Sequence, residues 1–167
     1  MLERDSLIRI RSLYGAFLDA AALLHSHRPE VLAGIMQRET EGGLSRYLDV
    51  QGPSGRGDFG HGHGLMQIDD RSFPDFIISG QWRIPEHNIN FAASILSRKR
   101  RYLADKPLEV ELSNAELERA TIAAYNCGEG NVMKAIREHG RDLDYFTAHH
   151  NYSAEVLRLA EIYRDLT

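Results

Sequence analysis

The chain has 167 residues, of which 43% are hydrophobic and 26% charged, values that argue against a disordered protein and are typical of one globular domain. Its net charge of −4 lacks the basic footprint of a nucleic-acid-binding protein. No apolar run approaches the roughly 18 residues that a membrane helix needs. We therefore expect a single domain over residues 1–167, a monomer, with neither nucleic acid nor membrane as partner.

Two helices are predicted at the start of the chain. Residues 5–24 carry apolar side chains at mostly three- and four-residue steps, which predicts an amphipathic helix packed on the domain. Its predicted buried face is Leu7, Ile8, Ile10, Leu13, Tyr14, Phe17, Ala21 and Leu24. Pro29 suits the first turn of a second helix, which should end before Gly42-Gly43. The buried stripe of this second helix is Val31, Leu32, Ile35 and Met36.

Glu39 continues the apolar stripe of the second helix, four residues after Ile35 and three after Met36. On a buried face, loss of water favours the protonated carboxylic acid, which is the form that a general acid needs. Glu41 should point in another direction. The alternative for Glu39 is an ordinary solvated charge at the end of a helix.

Residues 42–70 are rich in Gly, Asp, Ser and His and lack periodicity, which predicts irregular loops with one short hairpin around residues 61–68. A loop of this length in a compact domain is usually functional. The pattern Gly60-x-Gly62-x-Gly64 is not followed by Lys-Ser/Thr, so nucleotide binding is disfavoured. The glycines fit sharp turns or close approach of a substrate.

His61 and His63 would project to the same side of an extended segment. A zinc site needs three or four converging ligands, and the sequence offers neither HExxH nor paired cysteines. We expect cleft-lining or structural histidines, no metal and no other cofactor.

Further helices complete the predicted fold. One spans residues 86–103, and Pro107 should close that segment. Ser113-Asn114-Ala115-Glu116 matches a capping box, which starts a helix running to about Asn126. Two more are expected near residues 132–138 and 154–166. The sum is a mostly α domain of six to eight helices around one core, with a loop-rich segment lining a cleft near Glu39.

Tyr125 and Asn126 stand at a glycine-rich junction between two helices. A tyrosine ring and an amide are suited to gripping a sugar, by stacking and by hydrogen bonds. Ordinary capping is the alternative. Cys127 has no diagnostic partner, so we interpret it as a structural cysteine.

Four blocks, in this order along the chain, resemble a goose-type lysozyme and, more loosely, the soluble lytic transglycosylases. They are Arg38-Glu39-Thr40, then Gly-x-Gly-Asp-x-Gly-x-Gly-x-Gly-Leu-Met-Gln-Ile-Asp over residues 55–69, Ala-Tyr-Asn-x-Gly-x-Gly-Asn-Val over residues 124–132, and Tyr152-Ser153. The resemblance covers roughly residues 29–160. It implies a lysozyme-like fold that cuts the β-1,4 bond between N-acetylmuramic acid and N-acetylglucosamine in the glycan strands of bacterial peptidoglycan.

The resemblance also implies roles for individual residues. Glu39 falls on the general acid of the family, and Asp58 and Asp69 fall on two aspartates proposed to position water. The implied or predicted substrate-binding residues are His63, Met66, Gln67, Ile68, Tyr125, Asn126 and Tyr152. Hydrolysis of a glycoside needs one protonated carboxyl group and usually a second, ionised one, and the three carboxylates satisfy that need.

Two alternatives stay open. A lytic transglycosylase would act on the same bond with Glu39 as both acid and base, while a hydroxyl group of the substrate closes a 1,6-anhydro ring. A non-catalytic module would bind peptidoglycan without turnover. The presence of both aspartates favours hydrolysis.

Cys127 is the only cysteine, so an intrachain disulfide is excluded, which suits folding in a reducing cytosol. Asp5 and Asp19 interrupt the features of a secretory signal peptide. Many animal goose-type enzymes are secreted and carry disulfides, so these features are departures from that pattern. We expect a protein made in the cytoplasm and released to the cell wall, as in phage-type lysis by an endolysin, with a secreted mature chain as the alternative.

Overall fold

A computed structural model of the chain describes residues 3–105 and 111–166. Within these ranges the fold is mostly α, as predicted, with a small three-stranded antiparallel sheet. The helices are α1 Glu3–His25, α2 Pro29–Thr40, α3 Pro74–Ile78, α4 Pro85–Asp105, α5 Asn114–Cys127, α6 Glu129–Glu138 and α7 Tyr152–Arg164. The strands are β1 Arg56–Gly57, β2 Gly62–His63 and β3 Ile68–Asp69. Pro107 lies outside the described residues.

The chain divides into two compact units. The first unit comprises the residues up to Ala93 together with those from Leu159 onward, and the second is Ser94–Arg158. The expectation of one catalytic domain over residues 1–167 stays a prediction. In the part of the chain that the structure describes, no helix is long and apolar enough to cross a membrane.

In the first unit, α1 buries a narrower face than the sequence predicts. Its buried residues include Leu7, Ile10, Tyr14, Leu18 and Ala21, which recur at steps of three and four along one side of the helix. The prediction was wrong for Ile8, Leu13 and Leu24, whose exposed fractions are 49%, 49% and 69%. Leu18, which was not predicted to be buried, lies in the buried stripe, whereas Ile8, Leu13 and Leu24 lie outside it.

Most residues of helix α2 are buried. Its predicted stripe of Val31, Leu32, Ile35 and Met36 is confirmed as buried. Gln37 is buried as well, and its Oε1 accepts a hydrogen bond of 2.6 Å from Ser6 Oγ of α1. The helix ends where Glu41 adopts the left-handed region at φ 53°, before the two glycines that the sequence marks as its end.

The short sheet follows in the glycine-rich segment. β2 and β3 pair antiparallel with Gly62 opposite Asp69, which confirms the predicted hairpin. β1 adds a third strand that the sequence analysis did not resolve, with Arg56 opposite His63.

The second unit contains α5, α6 and the start of α7, and these three helices match the predicted ones to within a few residues. The Ser113 capping box is present, with Ser113 and Glu116 exchanging side-chain and backbone hydrogen bonds. Gly128 separates α5 from α6 at φ 83°, a conformation that favours glycine. The apolar core of this unit consists of Leu103, Ala120, Ala123, Ala124, Val132, Ile136 and Leu143.

Candidate active site

Glu39 lies half-buried in the last turn of α2. The next residue, Thr40, is 1% exposed. Its hydroxyl donates a hydrogen bond of 2.8 Å to the Leu65 carbonyl and accepts one of 3.2 Å from the Gly43 amide. The end of the helix that carries Glu39 is therefore fastened to the turn between β2 and β3.

Asn88 of α4 also holds that turn. This buried amide accepts a hydrogen bond of 2.9 Å from the Met66 N–H through Oδ1 and donates one of 3.1 Å to the His63 carbonyl through Nδ2. Gly64 lies between His63 and Met66 in the sequence and has φ +75°, and a Cβ atom on it would stand 2.5 Å from Asn88 Nδ2. Only glycine fits this position without displacing Asn88.

The side chain of Gln67 accounts for two more glycines of the motif. Its Nε2 donates a hydrogen bond of 2.8 Å to the Gly64 carbonyl. A Cβ atom on either Gly57 or Gly62 would collide with Gln67 Oε1. The half-buried Gln67 side chain thus packs against the sheet backbone, and these two glycines make room for it.

Asp58 and Asp69 are joined by one arginine. Arg71 Nη2 donates to Asp58 Oδ2 at 2.8 Å, and Arg71 Nε donates to Asp69 Oδ1 at 2.7 Å. Among the described residues, no second donor to the Asp58 carboxylate is found, and that side chain is 57% exposed. Asp58 therefore keeps acceptor sites open to solvent or to a ligand.

Asp69 is more enclosed, at 31% side-chain exposure. Its Oδ2 accepts hydrogen bonds from the Ser72 N–H at 3.1 Å and from the Ser72 hydroxyl at 2.7 Å. Partial burial raises the pKa of Asp69, but the hydrogen bonds from Ser72 and Arg71 outweigh it, so the pKa lies below its usual value. Asp69 is thus held as a carboxylate with both oxygens occupied.

His63 is 5% exposed, and its ring lies edge-on to Trp82 at a centroid distance of 4.7 Å. Asp70 contacts His61 Nδ1 at 2.9 Å and His63 Nε2 at 3.4 Å. The hydrogen bond from His61 is the largest cause of a pKa of Asp70 below its usual value. His63 Nδ1 is buried and has no hydrogen-bond partner within the described ranges.

Two other predicted substrate-binding residues of the first unit, Met66 and Ile68, have buried side chains. Met66 and Ile68 are 0% and 1% exposed, so their side chains pack in the interior and support the turn. Their assignment to substrate binding, like that of His63 and Gln67, stays a prediction.

In the second unit, Tyr125 is half-buried and Asn126 is exposed. Asn126 Oδ1 accepts a hydrogen bond of 2.8 Å from the Ala148 N–H, so this amide holds the loop before α7. Tyr152 is 2% exposed, and its N–H donates to Thr147 Oγ1 at 3.2 Å. The role of these three residues in substrate binding stays a prediction.

Asp144 fixes the start of α7. This carboxylate is 1% exposed and accepts from the Ser153 N–H at 2.8 Å, the Ser153 hydroxyl at 2.7 Å and the Ala154 N–H at 3.2 Å. Arg119 Nη2 adds an ion pair at 3.2 Å. Burial raises the pKa of Asp144, and the hydrogen bonds, led by that of Ser153, bring it below its usual value.

Cys127 is half-buried at the end of α5. Burial is the main cause that raises the pKa of its thiol to about 11. A thiol of that pKa is a poor nucleophile at neutral pH, which agrees with a structural cysteine. In the described part of the chain, no group of three or more His, Cys, Asp or Glu side chains is arranged to hold a metal ion.

Three residues of this site were not predicted from the sequence: Arg71, Asn88 and Asp70. Arg71 stands two residues after Asp69, and that short spacing is a signal that the two side chains can pair. The contact between Asn88 and the turn spans 22 residues of sequence and has no local signal.

Comparison with known proteins agrees with the resemblance. A family model described as Lysozyme g matches residues 6–166. "Lysozyme G" of Dromaius novaehollandiae is 31% identical over 136 residues, "Lysozyme g" of Casuarius casuarius is 31% identical over 136, and "Lysozyme g" of Gallus gallus is 32% identical over 143. Each comparison covers 81% of this chain but 58%, 64% and 56% of the respective relative. The chain thus spans less than two thirds of the length of these relatives. Because the family model covers nearly all of it, the chain belongs to the lysozyme g family.

Proposed function

We propose that this chain is a muramidase, which cleaves the β-1,4 bond between N-acetylmuramic acid and N-acetylglucosamine in bacterial peptidoglycan. The observation that carries the proposal is the placement of Glu39, half-buried at the end of a buried helix and fixed to the Asp69 hairpin through Thr40. A carboxyl group partly withdrawn from water and held in place is what protonation of a glycosidic oxygen needs.

In this proposal Glu39 donates its proton to the leaving glycosidic oxygen, and the water molecule that attacks the anomeric carbon gives up its proton to an aspartate carboxylate. Asp58 is the better placed of the two aspartates to orient that water, since Arg71 is the one donor found on its carboxylate among the described residues. Asp69 has both oxygens engaged and acts as the anchor of Arg71, which in turn holds Asp58. An inverting reaction of this kind needs about 6.5–9.5 Å between the acid and the base.

A lytic transglycosylase is the second candidate, and Arg71 is the observation that favours it. Because Arg71 pairs with Asp58 and Asp69 at 2.8 and 2.7 Å, neither carboxylate is an unpaired base. Glu39 would then work alone, first as acid and afterwards as base toward the 6-hydroxyl of the muramic acid residue.

Mass spectrometry of the soluble products from purified peptidoglycan separates the two candidates. We expect reducing muramic acid ends from the wild-type protein. Products lighter by one water would mean anhydro ends and the transglycosylase reaction. Binding of the glycan without any product would support a non-catalytic module instead.

Single variants test the division of roles between the aspartates. Asp58→Asn should lower kcat, because an amide is not a base and cannot take a proton from the attacking water. The variant should leave stability unchanged. Asp69→Asn should weaken the hold on Arg71 and so lower both kcat and stability. Wild-type rates from both variants would remove the aspartates from the mechanism.

The proposed partner is the peptidoglycan glycan strand, and no cofactor enters the proposed reaction. The site of action is therefore the bacterial cell wall. Release by phage-type lysis and a monomeric state stay predictions.

A further inference from the structure

Phe59 stands out in the connection between β1 and β2, directly after Asp58. Its exposed fraction is 104%, so the ring packs against nothing in the described fold. Single exposed apolar residues are common on protein surfaces and need no explanation by exposure alone. The backbone of Phe59 supplies the second observation.

Phe59 adopts the left-handed region at φ 55° and ψ 27°. Asp58 before it is also left-handed, at φ 47°. Aspartate tolerates this conformation, whereas a bulky aromatic residue there is a genuine outlier. Glycine would occupy the position at lower cost, and the neighbouring Gly57 and Gly60 show that glycine is used freely here. The strained phenylalanine gains no packing in return, which points to a role outside folding.

The ring is presented from a fixed point. Asp58 is held through its carboxylate by Arg71 at 2.8 Å, and its carbonyl accepts from the His61 N–H at 3.1 Å. β1 and β2 pair on either side of the connection. The backbone that carries the ring is therefore held without a ligand, and binding needs to order only the side-chain torsions of Phe59.

We propose that Phe59 is a substrate-contacting residue, whose ring stacks on the apolar C–H face of one pyranose of the glycan strand. This inference rests on the proposed function and extends it to a named binding contact. A pyranose offers an apolar face on which an uncharged aromatic ring can lie, and Phe59 has a ring fully accessible for it. Because Asp58 is the adjacent residue, the sugar bound by Phe59 would lie next to the water that Asp58 orients.

The test measures both binding and turnover. The dissociation constant for a soluble peptidoglycan tetrasaccharide is measured in the Glu39→Gln protein, which cannot turn the substrate over, with Phe59 intact, with Phe59→Ala and with Phe59→Trp. The values of kcat and KM are measured for the same three forms of the protein with Glu39 intact. Leu23→Ala is the matched control, because Leu23 is a large apolar residue of 86% exposure on α1.

Phe59→Ala should weaken binding and raise KM by about three- to tenfold, the scale of one aromatic stacking contact, with a smaller change in kcat. Phe59→Trp should restore wild-type affinity, and Leu23→Ala should change nothing. If the wild-type protein binds and cleaves but Phe59→Ala does so equally well, the inference is overturned and the proposed function stands. If the wild-type protein neither binds nor cleaves the glycan, both are overturned.

Discussion

The Thr40 hydroxyl donates a hydrogen bond of 2.8 Å to the Leu65 carbonyl, joining the helix end beside Glu39 to the turn that leads into Asp69. Both partners are buried. The contact spans 25 residues of sequence. This long-range hydrogen bond therefore fixes Glu39, the proposed acid, relative to the turn between β2 and β3.

Thr40→Val tests this joint, because valine keeps the shape and removes the hydroxyl group. The Leu65 carbonyl and the Gly43 N–H would then lose a partner in a buried place, at a cost of about 1–3 kcal/mol. We expect the midpoint of urea unfolding to fall accordingly and kcat to fall with it. Thr40→Ser keeps the hydroxyl and should retain most of both. An unchanged midpoint in Thr40→Val would show that the bond does not fasten the loop.

Gly64→Ala tests the packing of the turn against Asn88. The added Cβ would meet Asn88 Nδ2 at 2.5 Å and the Trp82 carbonyl at 2.8 Å, in addition to the strain of an L-residue at positive φ. Gly60→Ala is the matched control, since Gly60 has φ +96° and nothing within 4 Å of the added atom.

We expect Gly60→Ala to cost about 1–2 kcal/mol from the backbone alone. Gly64→Ala should cost about 1–3 kcal/mol more, because the turn must also shift to relieve the clash. Thermal or urea unfolding of the two variants gives the difference. Equal losses of unfolding free energy in the two variants would mean that Asn88 moves aside at no cost.

Arg71→Gln tests the electrostatic hold on Asp69. Arg71 is one of the groups that keep the pKa of Asp69 below its usual value, together with Ser72 and against the effect of burial. Without the guanidinium the pKa of Asp69 rises, so the Asp69 carboxylate becomes protonated at a higher pH as the solution is acidified. NMR titration of the Asp69 carboxylate should therefore show a higher pKa in Arg71→Gln than in the wild-type protein. An Asp69 titration curve that coincides with that of the wild-type protein would show that Arg71 does not hold the pKa of Asp69 down.

Asp144→Ala tests the support of α7. The carboxylate accepts two backbone N–H groups and the Ser153 hydroxyl in a buried place, and its loss should cost about 2–4 kcal/mol of unfolding free energy. Its folded-state pKa is lowered, so its stabilising contribution is present above the unfolded pKa of about 3.9 and is lost as the pH falls through the lower folded value. Asp105→Ala removes an exposed carboxylate and is the control.

Urea unfolding from pH 7 down to pH 3 measures the size of the effect and its pH dependence. If Asp144→Ala were as stable as Asp105→Ala at pH 7, the carboxylate would not hold the helix.

The helices were predictable wherever a local signal fixes them. Pro29, the glycines after Thr40 and the Ser113 capping box each set a helix end through their own backbone chemistry. The face of α1 was less predictable, because apolar residues such as Leu13 and Leu24 occur on its exposed side as well. Periodicity cannot show which of two apolar stripes finds a partner.

The candidate site was predictable as a set of residue types but not as a set of contacts. The glycines of residues 57–64 fitted sharp turns or a nearby substrate, whereas Gly57 and Gly62 leave room for the Gln67 side chain. The roles of Asn88 and Thr40 depend on hydrogen bonds across 22 and 25 residues. Such contacts leave no periodic trace in the sequence.

The most direct test of the central proposal is the rate of peptidoglycan cleavage by Glu39→Gln beside Glu41→Gln. Both variants exchange a carboxyl group for an amide at the end of α2, but Glu41 is exposed beyond the last turn. We predict that Glu39→Gln lowers kcat by at least about 100-fold, the loss expected for a positioned acid, with unchanged stability and glycan binding. Glu41→Gln should cleave at the wild-type rate. Cleavage by Glu39→Gln at the wild-type rate would contradict the assignment of Glu39 as the general acid.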